Sequence, residues 1–395
     1  MTGGRILFLG QSELQITSAG TTMRFFFPSQ LELAPGFLAR EVLREDDIIQ
    51  ITVAPPMISE VILLAPATVS RPPISFAFDF KRATLWQDFM NVVRQFFLSR
   101  SFWELRTPTL VRSPGLEPEL DVFETEFSFG RSKKTFFLPT SPEFHLKKAL
   151  ALGYERCFEF KECFRNGELS QHHQPEFVLL EWYRCFKNLD SIRIDIHNLV
   201  SELQHKFTKN IFETQFMTME ELWKNELNFT LTPQTNVDGL RRLCDEIKLE
   251  YPVTEDFDDL FTRVFVERLE PVLAKRVNPT IVWHYPPSQC ALARLTEDGW
   301  ADRFELYWRG LEIANAFHEL NDPIEQRRRF LEDQRKKEQK HGKHVPIDDE
   351  FLDFLSWGMP PSAGVALGLE RLFMALFGIG DLADVRLFPL RLDSK

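Results

Sequence analysis

Residues 156–184 read R-C-F-E-F-K-E-C-F-R-N-G-E-L-S-Q-H-H-Q-P-E-F-V-L-L-E-W-Y-R. Two runs of alternating character flank a polar loop from Asn166 to Gln174. Strand side chains alternate sides, so Glu159, Lys161, Cys163 and Arg165 share one face of the first run. Phe177, Leu179, Glu181 and Tyr183 share a face of the second. Paired antiparallel, the two faces form one floor bearing a guanidinium, an aromatic ring, a carboxylate and a phenol. That set suits a ligand with a phosphate, a flat base and an amine. Any one of these residues alone reads as an ordinary exposed charge. The string as a whole reads as a site.

The remaining chain frames this floor. Its 395 residues allow two or three domains and a sizeable core. A hydrophobic content of 44% and a charged content of 27% are ordinary for a soluble globular protein. The net charge of −11 offers no broad basic surface for nucleic acid. Cysteines at 157, 163, 185, 244 and 290 show neither C-x-x-C nor zinc spacing, which fits reduced thiols. No apolar run reaches the ~18 residues of a membrane span, and M-T-G-G-R-I-L-F-L-G is too short for a signal peptide. A cytoplasmic enzyme is expected.

Residues 1–70 read as a small β-domain. Runs at Arg5–Leu9, Glu13–Thr17, Met23–Phe27, Ile48–Val53 and Glu60–Leu64 are broken by glycines, prolines and acidic turns. Five short strands suggest a reduced OB-like barrel. Its basic residues are few (Arg5, Arg24, Arg40, Arg44), so a docking or packing module is expected rather than an oligonucleotide reader. Prolines 66, 72 and 73 mark a linker within Ala65–Ser75, centred on 71–75, before a second domain at 76–395. There Leu85, Phe89, Val92, Val93, Phe96 and Phe97 recur at helical spacing, and the strand F-W-E-L-R-T-P stops at Pro108.

Ser141-Pro142-Glu143 signals a helix start. Residues 185–275 are helical in pattern, with breaks at Pro233 and Pro252. Thr280–His284 reads as a strand running into Y-P-P-S-Q-C-A-L-A, where Ser288 and Gln289 are candidates for lining a pocket. Arg309-Gly310 reads as a hairpin turn flanked by Glu305 and Glu312, candidate ligands for Mg²⁺. Asn315, Phe317 and Glu319 share a face, whereas Glu312 has the opposite parity. If all four point inward, a bulge lies between Glu312 and Asn315. The charged run from Pro323 to Ile347 reads as a helix with a solvated face. In G-M-P-P-S-A-G-V-A-L-G-L-E-R-L, Gly364 and Gly368 admit a ligand close to the backbone, and Arg371 lies near the start of a helix.

These segments resemble the three motifs of class II aminoacyl-tRNA synthetases, most closely the lysine-specific branch. The helix before Pro108 corresponds to motif 1, F-R-N-G-E with H-Q-P-E-F and E-W-Y to motif 2, and G-V-A-L-G-L-E-R to motif 3. V-W-H-Y-P-P-S-Q-C-A-L-A, G-L-E-I-A-N-A-F-H-E-L and S-A-G-V-A-L-G-L-E-R-L are more similar to the synthetase-like enzymes that modify elongation factor P.

The resemblance implies an α+β fold: an antiparallel sheet flanked by helices. It implies activation of (R)-β-lysine by ATP and Mg²⁺, then transfer to a lysine of elongation factor P. Arg165 and Arg371 become the catalytic pair, Arg165 at the α-phosphate. Asn166, Gly167, Glu168, His173, Gln174, Phe177, Glu312, Ile313 and Gly368 join them around ATP, with Phe177 against adenine. Glu305 and Glu312 hold Mg²⁺. Ser141, Pro142, Glu143, Glu181, Tyr183, Ser288, Asn315, Phe317, Glu319 and Ala366 surround the amino-acid substrate. Motif 1 implies a homodimer, and tRNA is not an expected partner. Three positions depart from the lysine-branch pattern: Gly167 replaces a glutamate that Glu168 follows, Gln174 replaces an asparagine, and Ala316 replaces a glycine. Two alternatives stand beside this reading: a lysyl-tRNA synthetase with a reduced anticodon domain, and a non-catalytic paralogue acting as a binding module.

Overall fold

The computed structural model describes residues 2–9, 13–18, 21–28, 30–34, 37–54, 57–67 and 80–391. The linker expected at 71–75 lies outside them. The chain divides into two compact units, Met1–Leu85 and Trp86–Lys395.

In the first unit, strands β1 (Thr2–Leu9), β2 (Glu13–Ser18) and β3 (Thr21–Phe26) precede the short β4 (Glu32–Ala34), β5 (Phe37–Leu38) and α1 (Ala39–Val42). Strands β6 (Ile48–Ala54) and β7 (Met57–Ala65) follow. The order β1-β2-β3-β7-β6 closes into a barrel, as the five alternating runs predict. Alternate residues Leu14 and Ile16, then Ile49 and Ile51, fill its interior with Ile6, Ile58 and Val61.

Helix α2 (Phe80–Leu98) spans the division, and the second unit continues with β8 (Trp103–Glu104), β9 (Glu124–Phe129), β10 (Ser132–Phe137), α3 (Glu143–Ala151), β11 (Arg156–Phe164) and β12 (Glu176–Cys185). Next come α4 (Leu189–Phe207), β13 (Gln215–Thr218), α5 (Met219–Leu227), α6 (Val237–Glu246), α7 (Phe257–Val264) and α8 (Glu270–Ala274). The remainder is β14 (Thr280–Tyr285), β15 (Ala301–Trp308), β16 (Leu311–His318), α9 (Pro323–His341), α10 (Asp349–Gly358), β17 (Ser362–Gly368) and α11 (Leu369–Phe377).

Eight strands form one sheet in the order β13-β14-β15-β16-β17-β12-β11-β8. Only the two end pairs are parallel. Helices cover one face. Phe97 of α2 stacks 4.8 Å from Phe158 and lies 5.1 Å from Trp182, while Phe89 meets Phe373 of α11 at 5.2 Å. Asp195 of α4 accepts hydrogen bonds from Trp182 Nε1 at 3.2 Å and Arg184 Nε at 2.6 Å on the same side. Trp182 and Arg184 therefore anchor the back, and the odd-numbered residues of β12 are left for the front.

Two walls flank the front face. One is the helical insert, where Trp223 stacks on Phe261 at 5.3 Å within its own apolar core. Capping boxes at Thr218 and Asp256 start two of its helices. The other wall joins α3, α9 and α10 through Phe144, Phe330 and Phe351, with Phe144 and Phe351 stacked at 5.0 Å.

Helix α9 starts at an Asp322 cap followed by Pro323 and stops at Gly342 in the left-handed region. It is more than a solvated face. Buried Lys337 donates to the carbonyls of Glu117 at 2.9 Å and Leu120 at 2.6 Å, and Arg329 donates to those of Ala291 and Ala293. Its inward side thus clamps two loops that carry orphan carbonyls, a pattern that charge counting does not reveal.

Candidate active site

Strand register brings the predicted floor together. Glu159, Glu181, Ala366, Asn315 and Glu305 form one line across five strands. A second line runs Cys157, Tyr183, Gly364, Phe317 and Arg303. Cys163 pairs with Phe177 and Lys161 with Leu179, which pairs in turn with Gly368. Between Leu306 and Tyr307 the register shifts, so that Tyr307 faces Glu312 and Ile313 is the extra residue. That bulge turns Glu312 to the same side as Glu305, as its parity requires. Arg309 and Gly310 both take positive φ in the two-residue turn. Ile313 itself is buried.

At one end of the floor lie the cationic groups. The Arg165 guanidinium sits 4.9 Å over the Phe177 ring, and its Nε is buried without a hydrogen-bond partner among the described residues. Gly167 takes φ +77°, and Glu168 comes within 3.9 Å of Arg165. The left-handed glycine thus returns the displaced carboxylate toward the arginine. Arg371 Nη1 donates to the Glu312 carbonyl at 3.0 Å, and Nη2 lies 2.7 Å from His173 Nε2. Burial and then the Arg371 charge hold His173 below its usual pKa. The neutral ring accepts from Arg371 while Nδ1 meets Ser170 Oγ at 2.9 Å.

Two predicted ligand residues have other engagements. Asn166 donates to Asp121 Oδ2 at 2.6 Å. The Gln174 amide accepts from Leu390 N at 3.0 Å and donates to Leu390 O at 3.3 Å. Asn166 thus ties the loop to Asp121, and Gln174 satisfies both backbone groups of Leu390.

Glu305 accepts from Arg303, Tyr307 and, at 2.7 Å, Tyr285. Glu312 is pushed up to about 7 by burial and next by the Glu305 charge, against Arg371, Arg303 and Arg165. A group this displaced is short of positive charge. Among the described residues no set of three or more His, Cys, Asp or Glu is arranged to hold a metal ion. Two carboxylates fit an ion whose remaining ligands are phosphate and water, as Mg²⁺ prefers. Gly368 lies where motif 3 predicts it, paired with Leu179 beside Arg371.

The opposite end is acidic. Lys147, fully buried, contacts Glu143 Oε1 at 2.5 Å and Glu319 Oε2 at 2.6 Å. Glu181 accepts from Tyr183 OH at 3.2 Å through one oxygen, and the other has no partner among the described residues. Among those residues Asn315 Oδ1 is likewise buried and unpartnered. A Cβ at Gly364 would collide with the Tyr183 ring and stand 2.8 Å from Glu319 Oε1. Glycine there lets the ring lie on β17. Ser141 Oγ stands 3.4 Å from Glu143 N, and Pro142 precedes α3. Ser288 lies in a turn that lines, with Gln289 and Arg303, a cavity of about 1190 Å³.

Lys147 escaped the sequence reading, although its signal was present: it follows Glu143 by four residues on one helix. Arg303 and Tyr307 share the parity of Glu305 and were legible in the same way. Tyr285, Asp121 and Leu390 carried no local signal.

Three carboxyls therefore share one ammonium. Burial, with the neighbouring Glu143 charge, pushes Glu319 to about 8 despite Lys147 and holds Glu181 well above the usual carboxylate range. Near pH 7 the empty pocket retains protons that an incoming ammonium displaces. Affinity for a diamine should rise with pH up to about 8 and then level, by up to about tenfold per unit for each proton released. Calorimetry in buffers of different ionisation enthalpy should detect that release. An affinity constant between pH 6 and 8 would contradict it.

The sequence matches the family described as tRNA synthetases class II (D, K and N) over residues 81–391. Curated relatives from Salmonella paratyphi A (strain ATCC 9150 / SARB42) and Salmonella typhi are each named elongation factor P--(R)-beta-lysine ligase. Each is 36% identical over 314 residues, spanning 78% of this chain and 94% of the relative. The chain belongs to the D, K and N group of class II tRNA synthetases. Within that group it belongs with the elongation factor P--(R)-beta-lysine ligases and is an ATP-dependent ligase. Among the described residues no helix is long and apolar enough to cross a membrane.

Proposed function

We propose that this chain joins (R)-β-lysine to ATP as an aminoacyl-adenylate and passes it to a lysine side chain of elongation factor P. The observation that carries the reading is the charge imbalance at Glu143, Glu181 and Glu319, where three carboxyls, the last two of them buried, face one ammonium. A substrate with two amines supplies the missing charge. Arg165 steadies the α-phosphate while the substrate carboxylate attacks it, and Phe177 receives adenine. Arg371, oriented by His173, meets the outer phosphates. Mg²⁺, held by Glu312 with Glu305, neutralises triphosphate charge when bound. No covalent nucleophile is needed, since positioning and electrostatics suffice for this step. Trp103, 63% exposed on the sheet edge at motif 1, and Leu98, 42% exposed, support a homodimer contact there. A cytoplasmic setting fits the acceptor.

Ala366 is the proposed selector. It stands between Glu181 and Asn315 on the floor, where lysyl-tRNA synthetases have glycine. Its methyl group crowds the position of an α-amine, whereas a β-amine lies one carbon further on. Ala366→Gly should shift the ratio of exchange rates toward α-lysine by about ten- to a hundredfold. An unchanged ratio would remove Ala366 from that role.

The reaction itself is tested by offering labelled β-lysine and α-lysine in parallel to purified elongation factor P and to bulk tRNA. Label on the protein supports the proposal. Label on tRNA alone identifies a tRNA ligase, and no ATP–pyrophosphate exchange with any lysine isomer identifies a non-catalytic module.

A further inference from the structure

The proposed transfer needs a proton acceptor, since an amine lysine is an ammonium at neutral pH and has no lone pair for attack. The acids assigned above to the amino-acid substrate are Glu143, Glu181 and Glu319, and those assigned to ATP and its ion are Glu168, Glu305 and Glu312. Glu117 belongs to neither group. It lines the cavity of about 1190 Å³ beside Phe144, Ser288, Gln289, Arg303 and Asp333. Its backbone carbonyl is fixed by buried Lys337, and its Oε2 is sealed from solvent with no hydrogen-bond partner among the described residues. Gly115 makes this possible: at φ +132°, a Cβ there would stand 2.5 Å from both Glu117 Oε2 and Thr140 Oγ1. The carboxylate is thus seated next to the segment that leads into Ser141-Pro142-Glu143.

Lys337 of α9 donates to the Glu117 carbonyl at 2.9 Å. Phe144 of α3, Asp333 of α9 and Arg303 of β15 line the same cavity. Arg303 pairs with Phe317 on the floor and donates to Glu305, so the cavity that Glu117 lines reaches the floor on which the activated carbonyl must lie.

We propose that the cavity admits the acceptor lysine and that Glu117 is the general base that takes its proton. This assignment rests on the transfer reaction proposed above. One ammonium N–H bond breaks as the Glu117 carboxylate forms an O–H bond. The freed lone pair attacks the acyl carbon, forming the N–C bond. The bond from that carbon to the phosphate oxygen breaks with its electron pair, and AMP departs with the second N–H proton on its phosphate. Burial holds Glu117 above the usual carboxylate range despite Lys337, and Asp333 is pushed to about 7 by burial and then by Glu117. A base displaced in this direction is better matched to an ammonium than an ordinary carboxylate.

The test compares two half-reactions in wild type and Glu117→Gln, using purified elongation factor P as acceptor and hydroxylamine as a second acceptor that is unprotonated at neutral pH. The ratio of protein transfer to pyrophosphate exchange should fall by about 10²–10⁴-fold. Hydroxamate formation relative to exchange should not fall with it. The protein-transfer deficit should shrink as pH rises toward 10, because the acceptor then loses its proton unaided. Glu117→Asp should recover part of the ratio. An unchanged ratio in Glu117→Gln, or a deficit that ignores pH, overturns the assignment while leaving the proposed reaction intact. Wild type that activates β-lysine but labels no protein overturns the reaction and the assignment with it.

Discussion

Arg165→Ala is expected to lower ATP–pyrophosphate exchange by about 10³-fold, with most of the loss in the rate constant rather than in substrate affinity. The guanidinium is held over Phe177 at 4.9 Å and retains a buried donor, Nε, with no partner among the described residues. A donor kept in place before the substrate arrives requires no reorganisation when charge builds at the α-phosphate. The nearby Glu168 lies 3.9 Å from Nη1, beyond hydrogen-bond distance. Arg165→Lys should recover little, because an ammonium cannot reproduce the planar fork. Steady-state exchange at saturating ATP and β-lysine measures the effect. A loss under tenfold in the alanine variant would move the reacting phosphate elsewhere.

Lys147→Met should destabilise the second unit by about 3–5 kcal/mol, the cost of leaving buried carboxylates without their partner. Methionine fills nearly the same volume, so the loss is electrostatic and not a cavity effect. Lys147 is completely buried, Glu319 is 1% exposed, and neither can turn to water. Glu143 and Glu319 hold the lysine ammonium above its usual pKa, so its contribution is present throughout the range below that usual value and is lost only at strongly alkaline pH. The carboxyls set the other limit. Glu319, pushed to about 8 by burial, holds its proton well below that value and so carries no uncompensated charge there, and the penalty in Lys147→Met should be smaller at pH 6 than at pH 9. Urea denaturation at both values tests this. Adding Glu319→Gln should restore part of the stability, as coupled neighbours do. Equal penalties at the two pH values would mean that packing, not charge, sets the loss.

Much of this site was legible because strand alternation is a strong constraint. Once Glu181 and Tyr183 were placed on one face, a register error of a single residue would have turned both into the back layer, where Trp182 and Arg184 are packed. The same rule exposed the conflict at Glu312 and located its bulge. The barrel of the first unit followed from strand runs and turn signals, which are local features, whereas the antiparallel sheet of the second was expected from the resemblance to class II synthetases. What alternation does not carry is which side chains meet across long sequence gaps. Gln174 reads as a free amide, but its partner is a backbone segment 216 residues away. Glu117 reads as an acid in a proline-rich loop, and only the packing of α9 and Gly115 gives it a buried oxygen. Lys337 reads as one charge among many on α9 until the orphan carbonyls of Glu117 and Leu120 are seen beneath it.

The position of β17 has a consequence for synthesis. It lies in the middle of the sheet, between β12 and β16, yet it is the last of the eight strands to be translated. While the ribosome is still making residues 319–361, β12 and β16 each present a bare edge of unpaired N–H and C=O groups, which can pair with other chains. The acidic pocket is also unfinished then, because Gly364 and Ala366 arrive with that strand. The nascent chain accordingly passes through an interval in which it is inactive and adhesive, and a delay in translation between β16 and β17 would lengthen its exposure to aggregation without altering a single residue of the finished enzyme.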